Sequence, residues 1–125
     1  MRQTISSGDP FEDVYGYSRA VRVGDHVYVS GTTAQPPFME GCDTYVQAKN
    51  ALEIIERALT DAGTDLNAVV RTITYVTDMA DVDLAAKAHV EAFGEARPAA
   101  TIVEVSALDH PARTVEIEVT AVITS

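Results

Sequence analysis

Two glutamates separated by a single residue, Glu116 and Glu118, are the most suggestive chemistry in this 125-residue chain. In an extended strand alternate side chains share a face, so the two carboxylates stand ~7 Å apart on one side. If a subunit contact buries that face, one carboxylate acquires a raised pKa and can hold a water as base or acid. If the face is solvated, the pair is ordinary surface charge. Ser30-Gly31 closes a short apolar run; its glycine suits close approach of a ligand to the backbone and, equally, a plain turn. Other reactive types offer less. His26, His89 and His110 are too scattered for a metal-ligand pattern, and the single Cys42 has an acidic neighbour where a thiolate nucleophile needs a base. Gly16, Gly24 and Gly31 are too far apart to form one phosphate cradle, so nothing supports a nucleotide cofactor.

These residues must be positioned by a chain that alternates strand and helix signals. Ala20–Val23 and His26–Ser30 read as strands around the turn pair Gly24-Asp25, and Pro36-Pro37 with Gly41 marks a loop. Thr44 to Ala62 reads as a helix, with Tyr45, Ala48, Leu52, Ile55, Leu59 and Ala62 on one stripe, a capping box at Thr44–Gln47 and a stop at Gly63. Val69–Asp78 is a strand by composition. A second helix runs from a cap at Asp81 or Asp83 to Phe93, its buried stripe either Leu84, Ala88 and Ala92 or Val82, Ala86, His89 and Phe93. Ala99–Leu108 and Arg113–Ile123 finish the chain as strands flanking a turn at Asp109-His110-Pro111, and Arg2–Ser6 is a further strand candidate. In the last strand Val115, Ile117, Val119, Ala121 and Ile123 share one face, Glu116, Glu118 and Thr120 the other.

Hairpins at both ends with helices between them imply an α+β fold on a mixed sheet. Two helices cover only one sheet face; the other is left to solvent or to another subunit. Residues 1–125 read as one domain, since no repeat, linker or low-complexity stretch divides them. Nineteen acidic against nine basic residues give a net charge of −10, with no basic run. That field repels phosphate, so neither nucleic acid nor an anionic membrane is an expected partner. A lone cysteine cannot form an internal disulfide, the N-terminal residues are too polar for a signal peptide, and apolar runs are only a few residues long. A cytoplasmic location is the expectation.

Three segments carry a family resemblance. Gly16-Tyr17-Ser18-Arg19 followed by Val27-Tyr28-Val29-Ser30-Gly31, the stretch Arg97-Pro98-Ala99-Ala100-Thr101-Ile102-Val103-Glu104-Val105, and Val115-Glu116-Ile117-Glu118-Val119 resemble the Rid/YjgF family of reactive-intermediate deaminases. The resemblance covers nearly the whole chain. It implies a chorismate-mutase-like α+β subunit with two helices on one sheet face, assembling as a homotrimer around a central barrel, with ligand clefts between subunits. It further implies hydrolysis of 2-imino or enamine acids to 2-keto acids and ammonia, with no metal or organic cofactor. Carried over, Tyr17 is the pocket tyrosine, Ser30-Gly31 the turn beside it and Glu118 the water-holding carboxylate. The family's carboxylate-clamping arginine follows Pro-Ala; here Ala100 stands in its place.

That departure leaves three readings open. The cleft, with Ala100 small and Ile102 apolar, binds a neutral imine, enamine, carbonyl or amine metabolite and hydrolyses a neutral imine through Glu118. Alternatively Arg19 or Arg97 replaces the missing arginine and acidic imines remain substrates, although strand parity turns Arg97 away from Ala100. Or the trimer senses a metabolite without catalysis. RNA cleavage, an activity often attached to the family, is opposed by the net charge.

Overall fold

A computed structural model describes residues 1–124 of the chain. The strands are β1 (Arg2–Ile5), β2 (Ala20–Val23), β3 (His26–Thr32), β4 (Val69–Val76), β5 (Ala99–Glu104) and β6 (Val115–Val122). The helices are α1 (Phe11–Tyr15), α2 (Thr44–Asp61) and α3 (Val82–Phe93). All six strands join one mixed sheet in the order β1-β2-β3-β6-β4-β5, antiparallel except for the parallel pair β4–β5. This is the α+β class that the sequence implies.

The alternation in β6 places that strand at the centre. Val115, Ile117, Val119 and Ala121 are each 3 % exposed or less, and α2 lies over them with Ala48, Ala51, Leu52, Ile55, Ala58 and Leu59 buried. Each of the larger aliphatic side chains contributes roughly 1.5–3 kcal/mol by leaving water. Val27 and Val29 of β3 and Thr72, Thr74 and Val76 of β4 complete the same face. The α3 stripe is neither of the two expected ones: Ala85, Ala88 and Phe93 are buried, with Leu84, His89 and Ala92 half-buried beside them.

Two expectations are corrected, and one element is added. No capping box forms at Thr44: Asp43 caps α2 by accepting from Val46 N at 2.9 Å. Gln47 is buried instead, donating to the carbonyls of Met39, Cys42 and Ala112 and accepting from Thr114 N, and so ties the loops to the helix. The last two strands are not a hairpin, because β6 inserts between β3 and β4 while β5 pairs parallel to the outer side of β4 and ends at Glu104. A residue pattern reports which face a strand buries and not which strand lies beside it. Finally, Phe11–Tyr15 is a short helix ahead of the first hairpin, where the sequence carries no helix expectation, and Gly16 closes it at φ 83°.

Candidate functional site

The end of β3 and the start of β6 meet because the two strands run antiparallel. Between the pairs Val29↔Val119 and Thr32↔Ile117, β3 carries one residue more than β6, which makes a bulge at Ser30-Gly31. A bulge bends its strand and re-aims the side chains there. Ser30 Oγ donates to Ser18 O at 2.7 Å and Ser30 N to Arg19 O at 2.9 Å, fixing the bulge to the segment ahead of β2. The Arg19 guanidinium closes the arrangement. Its Nη1 donates to Gly31 O (2.9 Å) and Thr32 Oγ1 (2.8 Å), and its Nη2 to the Tyr17 hydroxyl (2.8 Å). Arg19 is only 5 % exposed; among the described residues it has no ion-pair partner and its Nε makes no hydrogen bond.

Over the bulge lies a cavity of about 730 Å³, lined by Tyr17, Arg19, Ser30, Gly31, Arg113 and Glu116, with Phe11 and Tyr15 of α1 at its side. Glu116 reaches across from β6 and rests its carboxylate on Gly31. Burial, then the nearby charges of Asp109 and Glu118, push the Glu116 carboxyl above the usual carboxylate range against the opposing pull of Arg19 and Arg113. Arg113 is held by Asp109 Oδ2 at 3.2 Å and by Ala34 O at 3.1 Å.

Glu118, expected to hold the water, does not line this cavity. It accepts a short hydrogen bond from the Tyr75 hydroxyl, and that bond, with burial, pushes the Tyr75 phenol up to about 12. Both glutamates remain on the sheet face away from α2, as their spacing predicts, paired with Tyr75 and Ile73 of β4.

The remaining predicted residues gather elsewhere. Arg97, Ala100 and Ile102 line a second cavity of about 570 Å³ between α3 and β5, together with Thr74, His89 and Phe93. Ala100 and Ile102 pair with Thr72 and Thr74 and therefore share the helix-covered face, whereas Glu118 faces the other way. One chain thus does not bring Ala100 and Glu118 together. Arg97 does lie with Ala100, against the parity argument. It precedes β5, in a left-handed conformation (φ 49°) with its N–H bonded to Phe93 O at 2.9 Å, so strand alternation does not govern it.

Sequence reasoning missed three contributors. Arg113 and Asp109 join the first cavity through the β3–β6 pairing, which no local pattern announces, and His89 joins the second through α3. A further hollow of about 710 Å³ along α2, lined by Asn50, Glu53 and Arg57, holds only Arg19 of the predicted residues. Among the described residues no group of His, Cys, Asp or Glu is disposed to hold a metal ion, and no helix is long and apolar enough to cross a membrane.

A mixed sheet with two long helices on one face, a bulged third strand and an acidic closing strand defines a YjgF-type α+β fold. The chain belongs to the Rid/YjgF family: residues 9–123 match the family model described as endoribonuclease L-PSP. A Mycobacterium tuberculosis protein, Rv2704, of the YjgF/YER057c/UK114 family superposes with a TM-score of 0.92 at 46 % identity, covering 98 % of this chain and all of that one. An uncharacterized Streptomyces coelicolor protein, SCO2049, is 37 % identical over 94 % of this chain and 89 % of its own length. The mouse 2-iminobutanoate/2-iminopropanoate deaminase is 32 % identical over 98 % of this chain and 92 % of its own.

Proposed function

We propose that this chain forms a cytoplasmic homotrimer, each subunit a single domain, that binds a small imine, enamine, carbonyl or amine metabolite between subunits and hydrolyses a neutral imine. The β3/β6 cavity of one subunit and the α3/β5 cavity of its neighbour form the two walls of the cleft. The carrying observation is the Glu116 carboxylate, half-buried, resting on Gly31 and sharing its cavity with Tyr17, Arg19 and Ser30. Glu116, rather than Glu118, takes the water-holding role on that placement. A carboxylate removes a proton from water as the oxygen attacks the imine carbon and returns it to the nitrogen. It then takes the proton of the adduct's hydroxyl and gives it to that nitrogen as the C–N bond breaks, leaving carbonyl and ammonia. The raised pKa of Glu116 suits a group that must both accept and return a proton near neutrality. Likeness to a mouse imine deaminase supports the same reaction class.

Ammonia release from a freshly generated neutral imine tests the reading, with sedimentation to establish the trimer. Loss of turnover in Glu116→Gln and its survival in Glu118→Gln is the expected result. Equal turnover in both variants and wild type removes the mechanism, and a ligand-induced thermal shift without any turnover leaves a sensing trimer.

One observation favours a second reading. Arg97 lines the same cavity as Ala100, so it is the better placed of the two candidate replacements for the family arginine, while three Arg19 N–H groups are already engaged. Retained turnover of the acidic enamine 2-aminoacrylate, through its 2-imino tautomer, abolished by Arg97→Ala, would establish it. RNA cleavage, suggested by the family model's name, is opposed by the −10 charge.

A further inference from the structure

Thr72 is fully buried, and among the described residues its hydroxyl has one hydrogen-bond partner, His89 Nε2 at 2.8 Å. A buried hydroxyl hydrogen left without an acceptor is costly, and the ring nitrogen is the acceptor in reach. Thr72 therefore donates, which assigns the proton of the neutral imidazole to Nδ1. Burial holds the His89 pKa below its usual value, so the ring is neutral at neutral pH. Phe93 packs on the imidazole with 4.8 Å between ring centroids and limits its rotation. Nδ1 itself makes no hydrogen bond among the described residues, is not sealed from solvent, and belongs to a ring that lines the α3/β5 cavity.

We propose that His89 is a specificity-determining ligand anchor, its Nδ1–H donating to the carbonyl oxygen or imine nitrogen of a small uncharged ligand whose apolar side lies on Val90, Phe93 and Ile102. This rests on the α3/β5 cavity being one wall of the proposed cleft, and it names the ligand class that wall selects. A donor fixed by Thr72 rewards an acceptor atom at one depth in the cavity. The aliphatic and aromatic lining around it rewards an apolar body.

Two substitutions separate anchoring from packing. His89→Gln places its amide where Nε2 was and can keep the Thr72 contact while losing the donor at Nδ1. His89→Asn does the reverse. With butanone as the probe, followed by NMR titration, Gln is expected to weaken binding about tenfold, the worth of one hydrogen bond, while Asn retains much of it. Nitrogen-15 spectra of the wild-type ring are expected to show the Nδ1–H form. An Nε2–H form, undiminished binding in Gln, or no butanone binding to wild type overturns the proposal. Absent ammonia release with His89-dependent butanone binding removes the hydrolytic reading alone; ammonia release with binding indifferent to His89→Gln removes the anchor alone.

Discussion

The Glu116 carboxylate occupies the space that a side chain at Gly31 would need: a Cβ built there comes within 2.9 Å of Glu116 Cδ and closer still to Oε2. Gly31 does not need a left-handed backbone; what it provides is room. Because the obstructing atoms are the far end of a flexible side chain, Gly31→Ala should fold with a change below about 1 kcal/mol while swinging the carboxylate off the bulge. Imine hydrolysis should then fall sharply while the denaturation midpoint moves by only a few degrees. Activity retained at the wild-type level would separate Glu116 from the chemistry.

The same carboxylate makes stability depend on pH. Burial, with Asp109 and Glu118, keeps Glu116 protonated to higher pH in the folded chain than in the unfolded one, where its pKa is near 4.5. The folded state binds the extra proton, so stability falls as pH rises from 4.5 through the raised folded pKa, and the deficit persists above it. Glu116→Gln removes the ionisation. Its Tm should exceed that of wild type at about pH 7, and the difference should vanish as the solution is acidified below 4.5. A variant less stable than wild type at neutral pH would contradict the assignment.

Tyr75 and Glu118 give the same sign at a much higher pH. Hydrogen bonding to Glu118 raises the phenol to about 12 from 10, so the stabilisation is complete below pH 10 and is lost as pH climbs toward 12. Ultraviolet titration should show a last phenol near pH 12, later than the also raised Tyr17 and Tyr45, and Tyr75→Phe should remove that last step. The substitution should cost about 1 kcal/mol, below the usual about 1.5–3 kcal/mol for a bond to a charged group because the pair is partly exposed. It should leave kcat nearly unchanged. A large fall in kcat would return the water-holding role to Glu118.

Side-chain faces were legible in the sequence and neighbours were not. The alternation Val115-Ile117-Val119-Ala121 identified a buried strand face, and the α2 stripe survives with Ala51 and Ala58 added. The insertion of β6 between β3 and β4 depends on contacts far apart in the chain, so the expected C-terminal hairpin does not form and Arg113 is brought to the β3/β6 cavity instead. Gln47 at the third position after Thr44 has the spacing of a capping partner, and only its burial among loop carbonyls reveals its other use. Tyr17, Arg19, Ser30 and Gly31 converge because the bulge in β3 folds back on the segment before β2. Ala100 and Ile102 fall in a separate cavity because they face the helices.

In the proposed function Ala100 stands where the family resemblance puts a clamping arginine, and introducing an arginine there distinguishes the ligand classes. The α3/β5 cavity holds about 570 Å³ with one guanidinium, that of Arg97, already in its lining. A charge-assisted hydrogen bond to a substrate carboxylate is worth about 1.5–3 kcal/mol, so Ala100→Arg should raise kcat/KM for 2-aminoacrylate at least about tenfold if no arginine now clamps it. The gain should come with weaker binding of butanone, because the new side chain fills space that an uncharged ligand uses. If Arg97 already serves as the clamp, a second guanidinium brings like charges together in a cavity with no carboxylate in its lining, and kcat/KM should stay level or fall. Ammonia release measured for wild type, Ala100→Arg and Arg97→Ala on both an acidic and a neutral imine therefore assigns the substrate charge. A tenfold gain from Ala100→Arg confined to the acidic imine identifies wild type as the neutral-ligand form, and loss in Arg97→Ala confined to the acidic imine identifies a relocated clamp.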